Sequence, residues 1–308
     1  MENKTLIEKI NLLRKEKNAI ILAHYYQNAE IQDIADFVGD SLQLSQQAAK
    51  TNASIILFAG VYFMAETAKI LSPDKKVIIP DKNAGCSLAE SINAEDFKQF
   101  LKDCLDHIVV TYINTNADIK ALSDIVCTSS NAVKIIESIP KDKKIVFAPD
   151  RNLGNYIKSI TGRDMKIWDG ACHVHEEFSL EKILELKEQH PNAKIISHPE
   201  CKEPIRIVSD FIGSTSALLN YVIKDDAKEY IVATENGILH QMRKACQNKL
   251  FIPAPPIDST CGCNDCKYMK LNTLEKIYLS LKNEQYEVTL SEEIIEKAYI
   301  PIKRMLEM

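Results

Sequence analysis

One spacing recurs three times along the chain and limits what it can fold into. Seventeen residues separate His24 from Ser41, Tyr112 from Ser129, and His198 from Thr215. The first residue of each pair lies in a short apolar run of strand type, AIILAHYY (19–26), HIVVTYIN (107–114) or AKIISHPE (193–200). Each run follows a segment of helical period, roughly 6–18, 94–106 and 180–190. The second residue of each pair lies in a polar turn: DFVGDS, SDIVCTSS or SDFIGSTS. A further strand comes next, IILFAG, IVFAPD or YIVATE, then a helix, FMAETAKIL, LGNYIKSI or GILHQMRKA. A last short strand runs into a cysteine-bearing loop: VIIPDKNAGCS with Cys86, MKIWDGACHVH with Cys172, or LFIPAPPIDSTCGCNDC with Cys261, Cys263 and Cys266.

Alternating strands and helices predict α/β units with parallel sheets, and the equal offsets predict that one unit is used three times. The expected architecture is three homologous α/β/α parallel-sheet domains around a pseudo-threefold axis: residues 1–90, 91–176 and 177–266. A helical tail over 267–308 completes it, from the spacing in LNTLEKIYLSLK and SEEIIEKAYIPIKRML. Sheets of this kind carry their functional loops at the carboxyl ends of the strands, where the polar residues named above fall.

Composition narrows the function. The 308 residues, 45% hydrophobic and 26% charged, can bury full cores. A net charge of −5 argues against binding nucleic acid through a broad basic surface, so an anionic ligand must be held locally. The densest apolar run, Ile55 to Val61, has strand length, short of the roughly 18 to 20 residues of a membrane span. The opening MENKT lacks the apolar core of a secretion signal, so a cytoplasmic protein is expected. In that compartment nine cysteines suggest metal or redox chemistry for some and packing for the rest.

If the three strand ends face inward, one cysteine per repeat meets in a central cavity. Three thiolates can hold a 4Fe-4S cluster and leave its fourth iron open as a Lewis acid, whereas a structural zinc takes four protein ligands. Cys86 and Cys172 lie in Gly-containing loops, AGCS and GACH. The third ligand is open among Cys261, Cys263 and Cys266, and Cys263-x-x-Cys266 also suits a redox disulfide or half a zinc site. Cys104, Cys127, Cys201 and Cys246 lie on apparent helix or strand segments and read as packing residues. The hydroxyls of Ser41, Ser129, Ser214 and Thr215 precede helical segments, where they can cap the helix, help its free N–H groups hold phosphate or carboxylate, or both. His24, Tyr26, Tyr112, Asn114, His198 and Glu200 end their strands on the same side and supply groups for proton transfer.

These residues fall within motifs that closely resemble quinolinate synthase, the A protein of de novo NAD biosynthesis: HYYQ (24–27), GDSLQLS (39–45), MAETAKIL (64–71), PDKNAGCSLAES (80–91), SHPEC (197–201), GSTSALL (213–219) and CKYMKLNTLEKI (266–277). The resemblance runs from about residue 18 to the C-terminus. It implies three α/β/α domains around a 4Fe-4S cluster, one cluster per chain, with ligands Cys86, Cys172 and Cys266. It also implies condensation of iminoaspartate with dihydroxyacetone phosphate to quinolinic acid, phosphate and water. By the same resemblance His24, Tyr26, Ser41, Tyr112, Asn114, Ser129, His198, Glu200, Ser214 and Thr215 would line the substrate cavity, with Tyr26, His198 and Glu200 as the proton-transfer set. An L-aspartate oxidase is the partner that family analogy suggests as the source of the imine.

The chain departs from the C-x-x-C-x-x-C pattern common in cysteine-rich relatives, having Cys261-Gly262-Cys263-Asn264-Asp265-Cys266, which leaves the roles of Cys261 and Cys263 open. Competing readings are an aconitase-type hydro-lyase with an open cluster iron, an iron–sulfur sensor or electron carrier, and a zinc-stabilised binding protein. The sensor reading finds no DNA-binding element or basic stripe to support it.

Overall fold

A computed structural model describes residues 3–258 and 264–308. Cys261 and Cys263 lie outside the described residues. Three four-stranded parallel sheets follow one another along the chain. The first holds β1 (Ala19–His24), β2 (Phe37–Gly39), β3 (Ile55–Ala59) and β4 (Lys76–Ile78); the second β5 (His107–Tyr112), β6 (Ile125–Cys127), β7 (Lys144–Ala148) and β8 (Met165–Ile167); the third β9 (Lys194–Ser197), β10 (Phe211–Ile212), β11 (Glu229–Ala233) and β12 (Leu250–Pro253). Their strand orders are β2-β1-β3-β4, β6-β5-β7-β8 and β10-β9-β11-β12, one topology used three times.

Alternation along the central strands explains the three layers. In β3, Ile56 and Phe58 join one core while Ile55, Leu57 and Ala59 join another on the opposite face. Likewise Ile145 and Phe147 of β7 part from Val146 and Ala148, and Tyr230 and Val232 of β11 part from Ile231 and Ala233. With apolar side chains on both faces, each sheet is covered by helices on both sides, which is the α/β/α sandwich. One continuous core runs between the first two sheets and takes in Ala298, Ile302 and Met305 of the C-terminal helix.

The outer strands β2, β6 and β10 are only three, three and two residues long, and an aspartate fixes each of them. Asp36 Oδ2 accepts from the Ile21 N–H at 2.8 Å, and the Asp36 N–H donates back to the Ile21 carbonyl. Asp124 does the same with Val109, and Asp210 with Ile195. The side chain thus takes the strand N–H that the short ladder does not reach, which otherwise would be left unpaired.

The tail contains the expected helices, Leu274–Asn283 and Glu292–Leu306. Between them it is extended: Ile79 and Tyr286 exchange backbone hydrogen bonds, and the Val288 N–H donates to the Val77 carbonyl at 2.8 Å. This antiparallel piece covers the free edge of β4. Helix Asn3–Glu16 packs Leu6 and Ile10 in one cluster with Leu274, Ile277 and Leu281, closing the outer face of the first sheet. Among the described residues no helix is long and apolar enough to cross a membrane.

Candidate active site

Sheet register shows which residues are equivalent. Ala23 pairs with Ala59, Thr111 with Ala148, and Ser197 with Ala233, so the next residues, His24, Tyr112 and His198, occupy one place in three repeats. Two residues further stand Tyr26, Asn114 and Glu200, and beyond the outer strands Ser41, Ser129 and Thr215. All nine line one cavity, together with Cys86, Cys172 and Cys266. Ser214 is not on its wall: the hydroxyl accepts from the Ala217 N–H as the cap of helix Thr215–Lys224 and from Ser130. Ser41 is the first residue of helix Ser41–Lys50, whose cap is Asp40. In the second repeat the helix starts later, at Ala132, and Ser129 stands in the turn before it.

Contacts across the cavity join the repeats. The Tyr112 hydroxyl donates to Glu200 Oε1 at 2.5 Å. Tyr26 shares its hydroxyl between Thr215 at 3.0 Å and Thr234 at 2.8 Å. Asp40 accepts from Ser130 and Ser216, one from each other repeat. Asn114 Oδ1 is buried without a partner, an acceptor aimed at the site and free for a ligand. Gly237 lets the third repeat close on the first, since a Cβ there would meet the Tyr25 carbonyl oxygen and Tyr26 backbone at 2.7 Å.

The two histidines are neutral donors. His24 Nδ1 accepts from the Tyr26 N–H at 3.2 Å, and His198 Nδ1 from the Glu200 N–H at 3.3 Å, so the proton of each ring is on Nε2. His198 Nε2 faces Ser129 Oγ at 3.2 Å. Burial holds His24 down at about 4 and His198 at about 3, against the raising pull of Glu200 on both. Burial alone would raise the Glu200 carboxyl, but His198, His175 and the Tyr112 hydrogen bond reverse this and hold it well below the ordinary carboxylate range. Glu200 is therefore ionised, and Tyr112 and Tyr26, pushed well up by burial and by Glu200, keep their protons.

His175 is the residue sequence reasoning missed. Its Nδ1 lies 3.1 Å from Glu200 Oε2 and its Nε2 is 3.0 Å from Thr234 Oγ1, while its ring stacks on His198 with centroids 4.8 Å apart. The signal was Cys172-x-x-His175: one turn of the short helix His173–Glu176 returns the ring beside the cysteine that precedes it. Ligand atoms of Cys172, His175 and Glu200 lie within 4.8 Å of one another.

The three cysteines share a setting. Burial raises Cys86 to about 12, Cys172 well above the usual thiol value and Cys266 to about 11; Cys86 and Cys266 add to the rise at Cys172, as neighbouring incipient negative charges do. Backbone N–H groups of Leu88 and Ala89, of His175, and of Tyr268 and Met269 work the other way and favour the respective thiolates. Three thiols from three repeats, each facing N–H dipoles of a following helical turn, fit a cationic group held by soft ligands. Cys104, Cys127, Cys201 and Cys246 are buried among apolar side chains, as packing residues are.

A sequence model of the Quinolinate synthetase A protein family matches residues 8–307. The chain belongs to that family. It is 60% identical over 303 residues to a quinolinate synthase of Microcystis aeruginosa, covering 98% of this chain and 95% of the relative. The corresponding enzyme of Trichormus variabilis is 59% identical, covering 98% and 93%, and that of Synechocystis 58%, covering 98% and 95%.

Proposed function

We propose that the protein is a quinolinate synthase that condenses iminoaspartate with dihydroxyacetone phosphate, releasing phosphate and two waters, in the cavity where the three repeats meet. The observation that carries this reading is the ionised, buried Glu200 with Tyr112 on one oxygen, on the same wall as three convergent cysteines. Cys86, Cys172 and Cys266 would hold a 4Fe-4S cluster, which when bound supplies a Lewis acid at an iron without a protein ligand.

The chain's own groups divide the remaining work. Glu200 takes protons during enolisation and dehydration, with the Tyr112 hydroxyl holding its charge in place. His24 and His198 offer Nε2–H donors to substrate oxygens without adding a cation. The hydroxyls of Ser41, Ser129 and Thr215, backed by the N-terminal ends of helices Ser41–Lys50 and Thr215–Lys224, receive phosphate and carboxylates. Tyr26 returns protons to leaving oxygens through its Thr215 and Thr234 contacts. An L-aspartate oxidase is the kind of enzyme that would supply the imine.

The test is anaerobic purification, iron and sulfide determination, and assay of quinolinate from the two substrates in one sample. About four irons and four sulfides per chain with product formed is the expected result. A full cluster without product would point to another open-iron lyase, and zinc or no metal in anaerobic material would remove the cluster chemistry.

A further inference from the structure

Two residues beyond the alanine that ends each third strand stand Val61, Asp150 and Glu235. Both acids are fully buried, and each gives one oxygen to the turn that follows it and the other to a cysteine N–H. Asp150 Oδ1 accepts from the Leu153 N–H at 2.7 Å, capping helix Arg151–Thr161, while Oδ2 accepts from the Cys172 N–H at 3.3 Å. Glu235 Oε2 accepts from the Gly237 N–H at 2.7 Å, just before helix Ile238–Ala245, while Oε1 accepts from the Cys266 N–H at 3.1 Å and faces Lys270 Nζ at 2.9 Å. The first repeat has no such acid. Val61 gives its helix no side-chain cap, and the Cys86 loop is tied instead by the Tyr62 N–H to the Ala84 carbonyl at 2.7 Å.

Capping alone does not call for these acids. Serine or asparagine caps a helix as well, without burying a carboxyl group. What a longer acid adds is reach to the cysteine backbone. We infer that Asp150 and Glu235 are positioning residues that fix the Cys172 and Cys266 backbone from behind and so place the two thiols toward the group they hold. This rests on the proposed cluster. Partners of metal ligands in other proteins change metal affinity by about 10–100-fold when removed.

The decisive variants are Asp150→Ser, which retains a capping oxygen but is too short to reach Cys172, and Glu235→Gln, which keeps the shape and turns one accepting oxygen into an amide donor. In reconstituted holoprotein, iron release to a ferrous chelator should be about 10–100-fold faster in Asp150→Ser, with Asp150→Asn intermediate. Glu235→Gln should speed iron release as well, because the amide keeps one accepting oxygen for the Gly237 and Cys266 N–H groups that now have two. In the cluster-free chain Asp150→Ser should change the alkylation rate of Cys172 and leave that of Cys86 unchanged, and Glu235→Gln should do the same for Cys266. Unchanged release and alkylation would overturn the proposal, as would a lower melting temperature of the cluster-free chain with no change in those two. Wild-type chain that takes up no iron and sulfide would defeat the cluster reading by itself, and the alkylation rates would then decide whether the two acids position the thiols.

Discussion

Glu200→Gln separates catalysis from folding within one side chain. The change is nearly isosteric: the glutamine oxygen still accepts from Tyr112, now 2.5 Å from Glu200 Oε1, but the negative charge is gone. A hydrogen bond to a charged group is worth about 1.5–3 kcal/mol and a neutral one about 0.5–1.5. The fold should therefore lose no more than about 2.5 kcal/mol, and relief of the buried charge offsets part of that. Loss of a general base costs about 10²–10⁴ in turnover, or about 2.7–5.4 kcal/mol at 1.36 kcal/mol per decade. Quinolinate formation measured anaerobically on protein of matched iron content, beside urea unfolding of the cluster-free chain, reads both quantities. Turnover within twofold of wild type at full iron content would refute the assignment of Glu200 as base.

Cys266→Ser should leave the protein well short of its wild-type iron content after reconstitution, whereas Cys127→Ser, at a buried packing position, should match wild type; iron per chain checks both. Asp225 accepts from Lys194 at 2.5 Å, from the Tyr230 hydroxyl at 2.7 Å and from the Ala227 N–H at 3.1 Å, and these hold its carboxyl down at about 2. Its ionised form stabilises the fold above the unfolded value of about 3.9, and that stability is lost as pH falls toward about 2. Unfolding curves across this window should be flatter with pH in Asp225→Asn than in wild type. Asp124→Ala removes the acceptor for the buried Val109 N–H and should cost about 1–3 kcal/mol in urea unfolding, with the cavity chemistry unchanged.

The repeats were legible because the site lies on them: strands long enough to show apolar runs end in His24, Tyr112 and His198, and a fixed connection carries each to Ser41, Ser129 or Thr215. The outer strands were not, since two or three residues such as Phe211-Ile212 give no period to detect. Nor was the role of Asp36, Asp124 and Asp210, although their placement is equally regular, because an aspartate before a short apolar run reads as turn chemistry. Matching the third strands by letters sets Gly60 against Asp150 and Glu235, but backbone register sets Val61 there, and only then do the two acids stand out as additions to a shared plan. His175 was hidden because its meaning depends on Glu200 arriving from another repeat. The extended piece at 286–288 was hidden because it pairs with β4, some two hundred residues earlier.

That pairing, with the helix beside it, bears on how the chain is made. The outer face of the first sheet exposes Ile21, Ala23, Ile55, Leu57 and Ala59, and these meet Leu274, Ile277 and Leu281 only after nearly the whole chain exists. About 200 residues separate Ile78 from Leu281, roughly 10 to 40 seconds of synthesis at 5–20 residues per second. Throughout that interval the nascent chain presents a partly covered apolar face, shielded by early residues such as Leu6, Ile10, Ile31 and Ile34, and an unpaired strand edge at β4. The first sheet to leave the ribosome thus waits longest for its cover, and the growing polypeptide depends on whatever keeps nascent chains apart until helix Leu274–Asn283 emerges.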